Sequence, residues 1–431
     1  MPLDSKTGVD TAVYHGIFIA MNYLNRHIEE RVLRVFNSFK IVLLTGARQV
    51  GKSTLLQHIF PKMKSVVFDP VQDLYNARRD PDQFLDTFGT PLLLDEVQYA
   101  PELLPAIKRR VDRSDARGQY LLTGSQNLAV LRDVSESLAG RVGVLRLDGL
   151  TPAEKSGLGA SPCWVESYLN DPEAFIKDIR HLTAAATDCP LPRYLWRGQL
   201  PGLTEFDDQD IPSYWSSYVQ TYVERDIRRM ANLADIGQFG RFLRFCGAVT
   251  GQEVVQAKLG RELGVNPKTA RAWLDLLIWS YQWIDLPPYC ANTIKKLSGR
   301  PKGHVTDTGL GCYLNNIPSP ESLLNSPLFG PLFESWGIGW LARQSQRLRL
   351  APATYHWRTH NGSDVDAVLD FNGRPHPIEF KAGSNLSGYD ARGIRAFMKT
   401  YPRSAPGIVV YGGKEFYMVA DQVAAIPWNA L

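Results

Sequence analysis

The sequence predicts an α/β chain that opens with a parallel β-sheet, continues through a mostly helical region and ends in a mixed α/β domain. The main observation is a set of short apolar runs separated by helix-length segments. These runs are residues 41–44, 66–68, 92–94, 120–122 and 142–147. Such alternation is typical of βαβ units, whose parallel strands are covered by helices on both faces. After Leu150 the strand pattern stops, and Pro/Gly-rich joints separate helical segments.

Composition excludes several classes of protein. Of the 431 residues, 44% are hydrophobic and 21% charged, which is an ordinary globular balance rather than a disordered or collagen-like one. The net charge of +4 is small, so any footprint for nucleic acid must be local. The five cysteines are widely spaced, which indicates neither a disulfide framework nor a structural zinc site. No apolar run is long enough to cross a bilayer, and we expect a cytoplasmic protein without a membrane partner.

The most specific motif follows the first predicted strand and opens a helix-compatible run. It fits G-x-x-x-x-G-K-[ST], in the strand–loop–helix context that a phosphate-binding loop requires. The loop and the residue after it are Gly46, Ala47, Arg48, Gln49, Val50, Gly51, Lys52, Ser53 and Thr54. We expect Lys52 to bridge the β- and γ-phosphates of a nucleotide and Ser53 to ligate Mg²⁺. The alternative is a glycine-rich turn that binds nothing.

An acidic pair follows another buried strand, residues 92–94. Asp95 is predicted to hold Mg²⁺ through water, and Glu96 to act as the general base that polarises the attacking water. A solvated strand end is the alternative for both carboxylates.

Two further positions belong to the same predicted site. The strand at residues 120–122 leads to Ser125 and Gln126, either of which could sense the γ-phosphate, unless this segment is a simple turn. Arg141 precedes the last strand at a domain edge. It is predicted to be an arginine finger for a neighbouring subunit's nucleotide, with a surface salt bridge as the alternative.

Together these motifs resemble a bacterial and archaeal family of AAA-type P-loop ATPases with an uncharacterised conserved C-terminal domain. The resemblance rests on residues 46–53, 92–98, 123–126, 137–141, 222–227, 250–252, 286–289 and 307–310. It implies ATP and Mg²⁺ as cofactors, ATP hydrolysis, and assembly into a homo-oligomeric ring, a hexamer, in which Arg141 is the finger. Residues 1–23 fall outside it, so Met1 and Met21 are both candidate starts.

A helix-turn-helix is predicted between residues 250 and 278. Gly264 and Val265 form the turn, and Asn266 is the N-cap of the second helix, with Pro267 at its first position. The inward positions share helical spacing and are Ala270, Trp273, Leu274, Leu277 and Ile278. The outward ones, which a recognition helix would present to a DNA major groove, are Lys268, Thr269 and Arg271. Nearby cations are Lys258, Arg261, Lys295, Lys296, Arg300 and Lys302. The alternative is a winged helix that packs between domains.

Near the C-terminus, two alternating strands flank Asn372-Gly373, a strong hairpin signal. A two-residue turn there places Asp366 opposite Glu379, with Lys381 on the same face as Glu379, close enough for two carboxylates to clasp one divalent cation. Pro375 and Pro377 lie in the second strand and demand an unpaired outer side at that end.

This hairpin resembles the PD-(D/E)-x-K nuclease superfamily. The resemblance implies a restriction-endonuclease-like fold with a second Mg²⁺ site. Asp366 and Glu379 would be metal ligands, Lys381 would position or activate water, and Glu334 on the preceding helix would be a further acid. The alternative is a retained fold without cleavage activity that serves as a binding platform.

The predicted organisation has five parts. They are an N-terminal extension (1–23), a P-loop ATPase domain (24–150), a helical lid or bridging region (151–235), a winged helix-turn-helix (236–305) and a nuclease-like domain (306–431). We expect a ring-forming ATPase that remodels or translocates on duplex or branched DNA such as forks and Holliday junctions. An ATP-gated Mg²⁺-dependent nuclease of a defence or repair system, and a nucleotide-dependent regulator of a protein client, are the alternatives.

Overall fold

The computed structural model describes residues 23–124, 138–187, 189–221, 236–290 and 299–431. The predicted phosphate sensors Ser125 and Gln126 lie outside these ranges, as do Lys295 and Lys296. Within the described ranges, no helix combines the length and the apolar character needed to cross a membrane.

The first sheet has five parallel strands, as the apolar runs predict. They are β1 (Ile41–Thr45), β2 (Lys64–Val67), β3 (Leu92–Asp95), β4 (Tyr120–Gly124) and β5 (Val142–Arg146). Their order is β2-β3-β4-β1-β5, so β4 lies between β1 and β3. The phosphate loop and the acidic pair therefore leave the same edge of the sheet, with the end of β4 between them.

Helices cover both faces of this sheet. They are α1 (Glu29–Ser38), α2 (Lys52–Ile59), α3 (Pro81–Phe88) and α4 (Leu103–Asp112). Alternate residues of β1 enter different cores, with Val42 and Leu44 on one side and Ile41 and Leu43 on the other. Before α1, side-chain carboxylates accept the backbone N–H groups of Arg26 and His27. The N–H of Arg26 donates to Glu29 Oε1 at 2.5 Å and that of His27 to Glu154 Oε1 at 2.9 Å.

The middle of the chain is mainly helical. Its helices are α5 (Pro152–Lys155), α6 (Trp164–Asn170), α7 (Pro172–Lys177), α8 (Leu191–Arg197), α9 (Ile211–Thr221), α10 (Ile236–Ala248), α11 (Gln256–Leu263) and α12 (Pro267–Trp279). A small antiparallel sheet follows in the order β6-β8-β7, with β6 (Gln252–Glu253), β7 (Trp283–Leu286) and β8 (Lys302–Val305). The predicted cap is confirmed, since Asn266 accepts the Lys268 N–H at 2.8 Å. The classification of this unit as a winged helix remains a prediction.

The last segment is a mixed sheet with helices. The helices are α13 (Thr308–Leu314), α14 (Pro320–Leu324), α15 (Phe329–Ser345) and α16 (Arg392–Thr400). The strands are β9 (Ala353–Arg358), β10 (Asp364–Phe371), β11 (Arg374–Lys381), β12 (Gly407–Tyr411), β13 (Tyr417–Ala420) and β14 (Val423–Pro427). They are ordered β13-β14-β12-β11-β10-β9. That this segment is nuclease-like in fold remains a prediction.

The predicted hairpin register is confirmed. Ala367 pairs with Ile378 and Phe371 with Arg374, around a turn in which Asn372 and Gly373 both have positive φ, 52° and 75°. The β11–β12 ladder begins only at Ile378, after both prolines, although the Ala405 N–H still donates to Pro375 O at 2.9 Å.

One hydrophobic core has members from Ile28 to Ala430, so it crosses the predicted domain boundaries at 150, 235 and 305. Helix α15 lies within it and is buried along most of its length, because apolar residues surround its axis instead of forming one stripe. This helix connects two polar sites. Glu334 near its start faces the terminal hairpin, and Gln346 beyond its end donates to Asp148 near the phosphate loop at 3.3 Å.

Candidate nucleotide site

The phosphate loop has the backbone conformation that its glycines allow. Gly46 and Gly51 have φ values of 142° and 89°, and Gln49 also has positive φ, at 62°. A Cβ atom on Gly46 would lie 2.0 Å from the carbonyl oxygen of Leu147, so no larger residue fits there. Alternation of handedness along a short loop turns successive N–H groups to one side, which makes a concavity suited to an anion.

Lys52 opens α2 and is only 6% exposed. Its ammonium donates to the carbonyl oxygens of Gly46 at 3.0 Å and Ala47 at 2.9 Å. The lysine therefore curls back over the loop that it follows, held by neutral backbone acceptors.

A hydroxyl–carboxylate chain joins the three strand ends. Ser53 Oγ donates to Asp95 Oδ2 at 2.6 Å, although the two residues are 42 positions apart. The other oxygen of Asp95 accepts from Thr123 Oγ1, and Thr123 in turn accepts the Glu96 N–H at 2.9 Å. The structure thus brings the predicted Mg²⁺ ligands Ser53 and Asp95 together.

Thr123 is a site residue that the sequence reasoning missed. The search for a polar group at the end of this strand settled on Ser125 and Gln126, which lie outside the described residues. The available signal was the polar residue directly after the apolar run 120–122, because the strand continues through it and buries its hydroxyl beside the Asp95 carboxylate.

Glu96 follows β3 in the left-handed conformation, with φ 59°. Its carboxylate accepts from the side-chain amide of Gln98, and its backbone is fixed by Thr123. The two adjacent carboxylates thus have different partners, hydroxyl groups for Asp95 and the Gln98 amide for Glu96.

A buried arginine, Arg26, hydrogen-bonds the backbone of the phosphate loop. Arg26 donates to Val50 O at 2.9 Å and Asp148 O at 2.5 Å, and its Nε lies 3.1 Å from Glu154 Oε1. Burial acts to raise the pKa of Glu154, but the charges of Arg26 and His27, with two backbone donors, lower it to about 2. The sequence pattern gave no signal for this ion pair.

The helical region also contacts the loop. Tyr214 on α9 donates to the side-chain oxygen of Gln49, and a Cβ atom on Gly51 would lie 3.9 Å from Pro201. The segment predicted to be a lid therefore touches the predicted nucleotide site.

Arg141 precedes β5 and lies at the amino ends of the strands, opposite the end of the sheet that carries the phosphate loop. Its guanidinium makes a two-pronged ion pair with Asp112 at the end of α4 and donates to Ala139 O at 2.8 Å. This matches the surface salt bridge that was its alternative reading. Its role toward a neighbouring subunit remains a prediction.

The predicted DNA-facing positions divide. Lys268 is exposed and Thr269 is half-buried, whereas Arg271 is held by Asp275 at 2.6 Å and Asp285 at 3.1 Å. Two carboxylates of its own module thus pair with Arg271, and its role as a recognition residue remains a prediction.

The structure brings the residues of the predicted second metal site together, and the ammonium of Lys302 lies between two of their carboxylates. The ammonium of Lys302 lies 2.5 Å from Glu334 Oε1 and 3.2 Å from Asp366 Oδ1, while Lys381 lies 2.7 Å from Glu379 Oε1. The two ammonium groups thus contact the carboxylates that were predicted to bind Mg²⁺. Across the part of the chain that the structure describes, no group of three or more His, Cys, Asp or Glu side chains is arranged to hold a metal ion.

Three family models match successive parts of the chain. Residues 38–155 match an AAA domain, residues 190–321 a domain of unknown function (DUF8612) and residues 329–431 a further domain of unknown function (DUF4143). Two curated relatives are the uncharacterized proteins Rv2008c of Mycobacterium tuberculosis and Mb2031c of Mycobacterium bovis. Each is 28% identical over 403 residues, which cover 93% of this chain and 83% of the relative.

Solved structures that match part of the chain include the Walker-type ATPase paby2304 of Pyrococcus abyssi. It shows 14% identity and a TM-score of 0.43, covering 68% of this chain and 96% of its own. The RuvB Holliday junction branch migration motor of Thermotoga maritima shows 16% identity and a TM-score of 0.31, covering 61% of this chain and 90% of its own. The AAA match over the first sheet, together with the geometry of the phosphate loop, supports an AAA-type ATPase domain in this part of the chain.

Proposed function

We propose that the chain binds Mg-ATP at the phosphate loop and hydrolyses it. One observation carries the proposal, the 2.6 Å contact between Ser53 Oγ and Asp95 Oδ2, which joins the loop to the acidic strand end. A hydroxyl and a carboxylate, both oxygen ligands, suit a hard ion such as Mg²⁺. The glycine-containing loop beside them suits the phosphates, because its positive-φ residues let successive backbone N–H groups converge on an anion.

Each residue has a distinct role in this proposal. Ser53 and Asp95 would hold Mg²⁺, which when bound neutralises phosphate charge. Lys52 would exchange its backbone acceptors for phosphate oxygens, because an ammonium prefers an anionic acceptor to a neutral one. Glu96 would accept a proton from water. Thr123 would hold the Asp95 carboxylate and the Glu96 backbone in place through its two hydrogen bonds.

Two variants separate binding from hydrolysis. We expect Lys52→Ala to lose affinity for a fluorescent ATP analogue with Mg²⁺, and Glu96→Gln to retain that affinity while phosphate release falls. Lys62→Ala, an exposed lysine beyond the end of α2, is the matched control and should leave both unchanged. Wild-type protein that binds no adenine nucleotide with Mg²⁺ present would contradict the proposal.

DNA is the partner that we propose for this ATPase. The supporting observation is a set of exposed cations on α11 and at the start of α12, namely Lys258, Arg261 and Lys268. Exposed lysine and arginine near a helix N-terminus suit phosphate contacts of a duplex. With an ATPase site in the same chain, these cations favour remodelling of duplex or branched DNA over passive binding.

The test compares ATP turnover with single-stranded, duplex, forked and four-way DNA at several salt concentrations. Stimulation by one form, weakening steeply as salt rises, supports the proposal. A turnover rate that no DNA form changes contradicts it, and a nuclease-resistant pull-down dominated by one protein would favour the protein-client alternative.

We also propose that the active form is a ring, hexameric as the family resemblance implies, in which Arg141 serves the neighbouring site. Its pairing with Asp112 keeps the guanidinium at the surface of the subunit, where a second copy could reach it. Mixing Arg141→Ala with Lys52→Ala protein tests this, because mixed rings would contain sites with both residues intact. Recovery of turnover above the sum of the separate variants is expected, and no recovery contradicts the role.

A further inference from the structure

A buried arginine near the phosphate loop has one edge of its guanidinium without a protein partner. Arg343 lies near the end of α15 and is 9% exposed. Its Nε and Nη2 are both buried, and neither has a hydrogen-bond partner. Within the described ranges, its guanidinium also forms no ion pair. Because a buried cation without a counter-charge is costly, this edge requires an anionic partner.

Two other arginines of this chain show what the same edge binds. In Arg141, Nε and Nη2 donate to the two oxygens of Asp112. In Arg193, the same two nitrogens donate to the two oxygens of Asp208. The N–H groups of this edge point in parallel, so they suit one anion that accepts both. At Arg343 the chain supplies no such acceptor.

The buried carboxylate of Asp307 lines the same small cavity as Arg343, but its oxygens are already in use. Oδ2 accepts the Gln199 N–H at 2.9 Å, and Oδ1 accepts the Gly309 N–H at 2.9 Å. Burial raises the pKa of Asp307, against these two donors and the charges of Lys155 and, more weakly, Arg343. Asp307 is therefore coupled to Lys155 more than to Arg343.

The other carboxylates around Arg343 have cations of their own. Asp148 pairs with Arg146 at 2.7 Å, and Glu154 pairs with Arg26 at 3.1 Å. His27 adds no charge at neutral pH, because burial lowers its pKa to about 4. Around the two small cavities next to Arg343, four cations therefore face three carboxylates. The cations are Arg26, Arg146, Lys155 and Arg343, and the carboxylates are Asp148, Glu154 and Asp307.

The cavity that Arg343 shares with Asp307 adjoins the phosphate loop. Its wall includes Ala47 and Val50 of the loop and Tyr281 from the turn after α12. Gly339, one turn before Arg343 on α15, leaves space beside Nη2, because a Cβ atom there would lie 3.7 Å from this nitrogen. A small polar cavity of this kind suits one ion rather than a nucleotide or a peptide.

We propose that Arg343 binds one small monovalent anion, of the size of chloride or formate, in this cavity through its Nε and Nη2. The ion supplies the negative charge that the surrounding carboxylates lack. A water molecule would satisfy the two donors but would leave the guanidinium charge buried without compensation. Since the wall contains parts of both the phosphate loop and α15, the bound anion stabilises the contact between them.

The test follows thermal unfolding without nucleotide while chloride replaces gluconate, which is too large for the cavity, at constant ionic strength. We expect the midpoint temperature of the wild-type protein to rise by about 2 °C more than that of Arg343→Met, because an ion that binds only the folded state stabilises it. Formate replaces chloride in a second series. A rise with either ion supports the proposal and shows which anion the site prefers.

Arg349→Met is the matched control, because it removes an exposed arginine just beyond the end of α15 and leaves Arg343 in place. It should respond to both anions as the wild-type protein does. An equal rise in the wild-type protein and in Arg343→Met, or no rise with either anion, would overturn the proposal.

A second measurement uses the wild-type protein alone and so covers the case in which Arg343→Met does not fold. Crystals grown in bromide, which substitutes for chloride, are measured at the bromine absorption edge. We expect an anomalous peak within hydrogen-bond distance of Nε and Nη2 of Arg343. A peak of ordinary water density without anomalous signal at that position would contradict the proposal.

Discussion

The phosphate loop and the terminal charge cluster, formed at the predicted second metal site, both bring lysine and carboxylate side chains together, but they neutralise them differently. At the loop, Lys52 donates to backbone carbonyls and Asp95 accepts from two hydroxyls. In the terminal cluster, Lys302 and Lys381 contact the carboxylates directly. The first arrangement can exchange its partners for a polyanion and its counterion, whereas the second is already compensated.

The difference shows that the presence of acids and lysines does not by itself indicate a working site. A charged group that is held by neutral partners can bind an incoming ligand without first breaking an ion pair. An internal ion pair must first be broken, and removing one partner of a buried pair costs several kcal/mol. The predicted Mg²⁺ ligands at the loop are therefore better placed to bind metal than those of the hairpin.

The largest expected effect concerns the ion pair between Arg26 and Glu154, next to the phosphate loop. We expect Arg26→Met to lower the free energy of unfolding by about 3 to 5 kcal/mol, because Glu154 would stay buried without its cation. Chemical denaturation measures this. Arg113→Met at the exposed end of α4 is the control, and a similar loss in both variants would contradict the assignment.

The next effect concerns turnover. We expect Lys52→Ala to lower the rate of ATP hydrolysis by about 10²- to 10³-fold, since a preorganised cation on a transferring phosphoryl group contributes on that scale. Lys302→Met, which alters the other kind of lysine site, should reduce turnover far less in the fraction that folds. Comparable losses of turnover in the two variants would remove the distinction between the sites.

The two regions should also respond to pH in opposite directions. Burial and the charge of Asp366 raise the pKa of Glu379 to about 8 despite Lys381. The folded state then holds a proton that the unfolded state releases above about pH 4.5, so this group's stabilisation is complete below that pH and is lost as the pH rises toward 8.

The pH dependence of the stabilisation by Glu154 has the opposite sign. With its folded pKa at about 2, its stabilisation is complete above about pH 4.5 and is lost as the pH falls toward 2. Each group contributes at most about 1.4 kcal/mol per pH unit. Unfolding curves of Glu379→Gln should therefore lose slope between pH 5 and 8, and those of Glu154→Gln below pH 4.5. An unchanged slope in either variant contradicts the assignment for that region.

The smallest expected effect is at the surface. Lys268→Ala should weaken DNA binding a few-fold and reduce the slope of log affinity against log salt by about 1, the value for one phosphate contact. Arg271→Ala should change the salt slope less, because Asp275 and Asp285 already neutralise that guanidinium. A larger effect from Arg271 would support its predicted role as a recognition residue.

Local patterns predicted much of what the structure contains. The apolar runs predicted five parallel strands, the glycine motif predicted the loop between β1 and α2, and Asn372-Gly373 predicted the hairpin register. These features depend on spacing within a few residues, where backbone geometry leaves little choice. The meeting of Ser53 and Asp95 was predictable too, because parallel strands end at one edge of a sheet.

Distant partners were decided by the tertiary structure. Neither Arg26 nor Lys302 stands near its carboxylates in the sequence: Arg26 lies 128 residues before Glu154 and Lys302 lies 64 before Asp366. The sequence shows the position and chemical type of each side chain, but it does not show which residue of opposite charge that side chain pairs with. The sequence by itself determined the strands, the loop and which residues carry charge. Packing decided which charges meet, because desolvation inside the shared core leaves each buried charge stable only beside a partner.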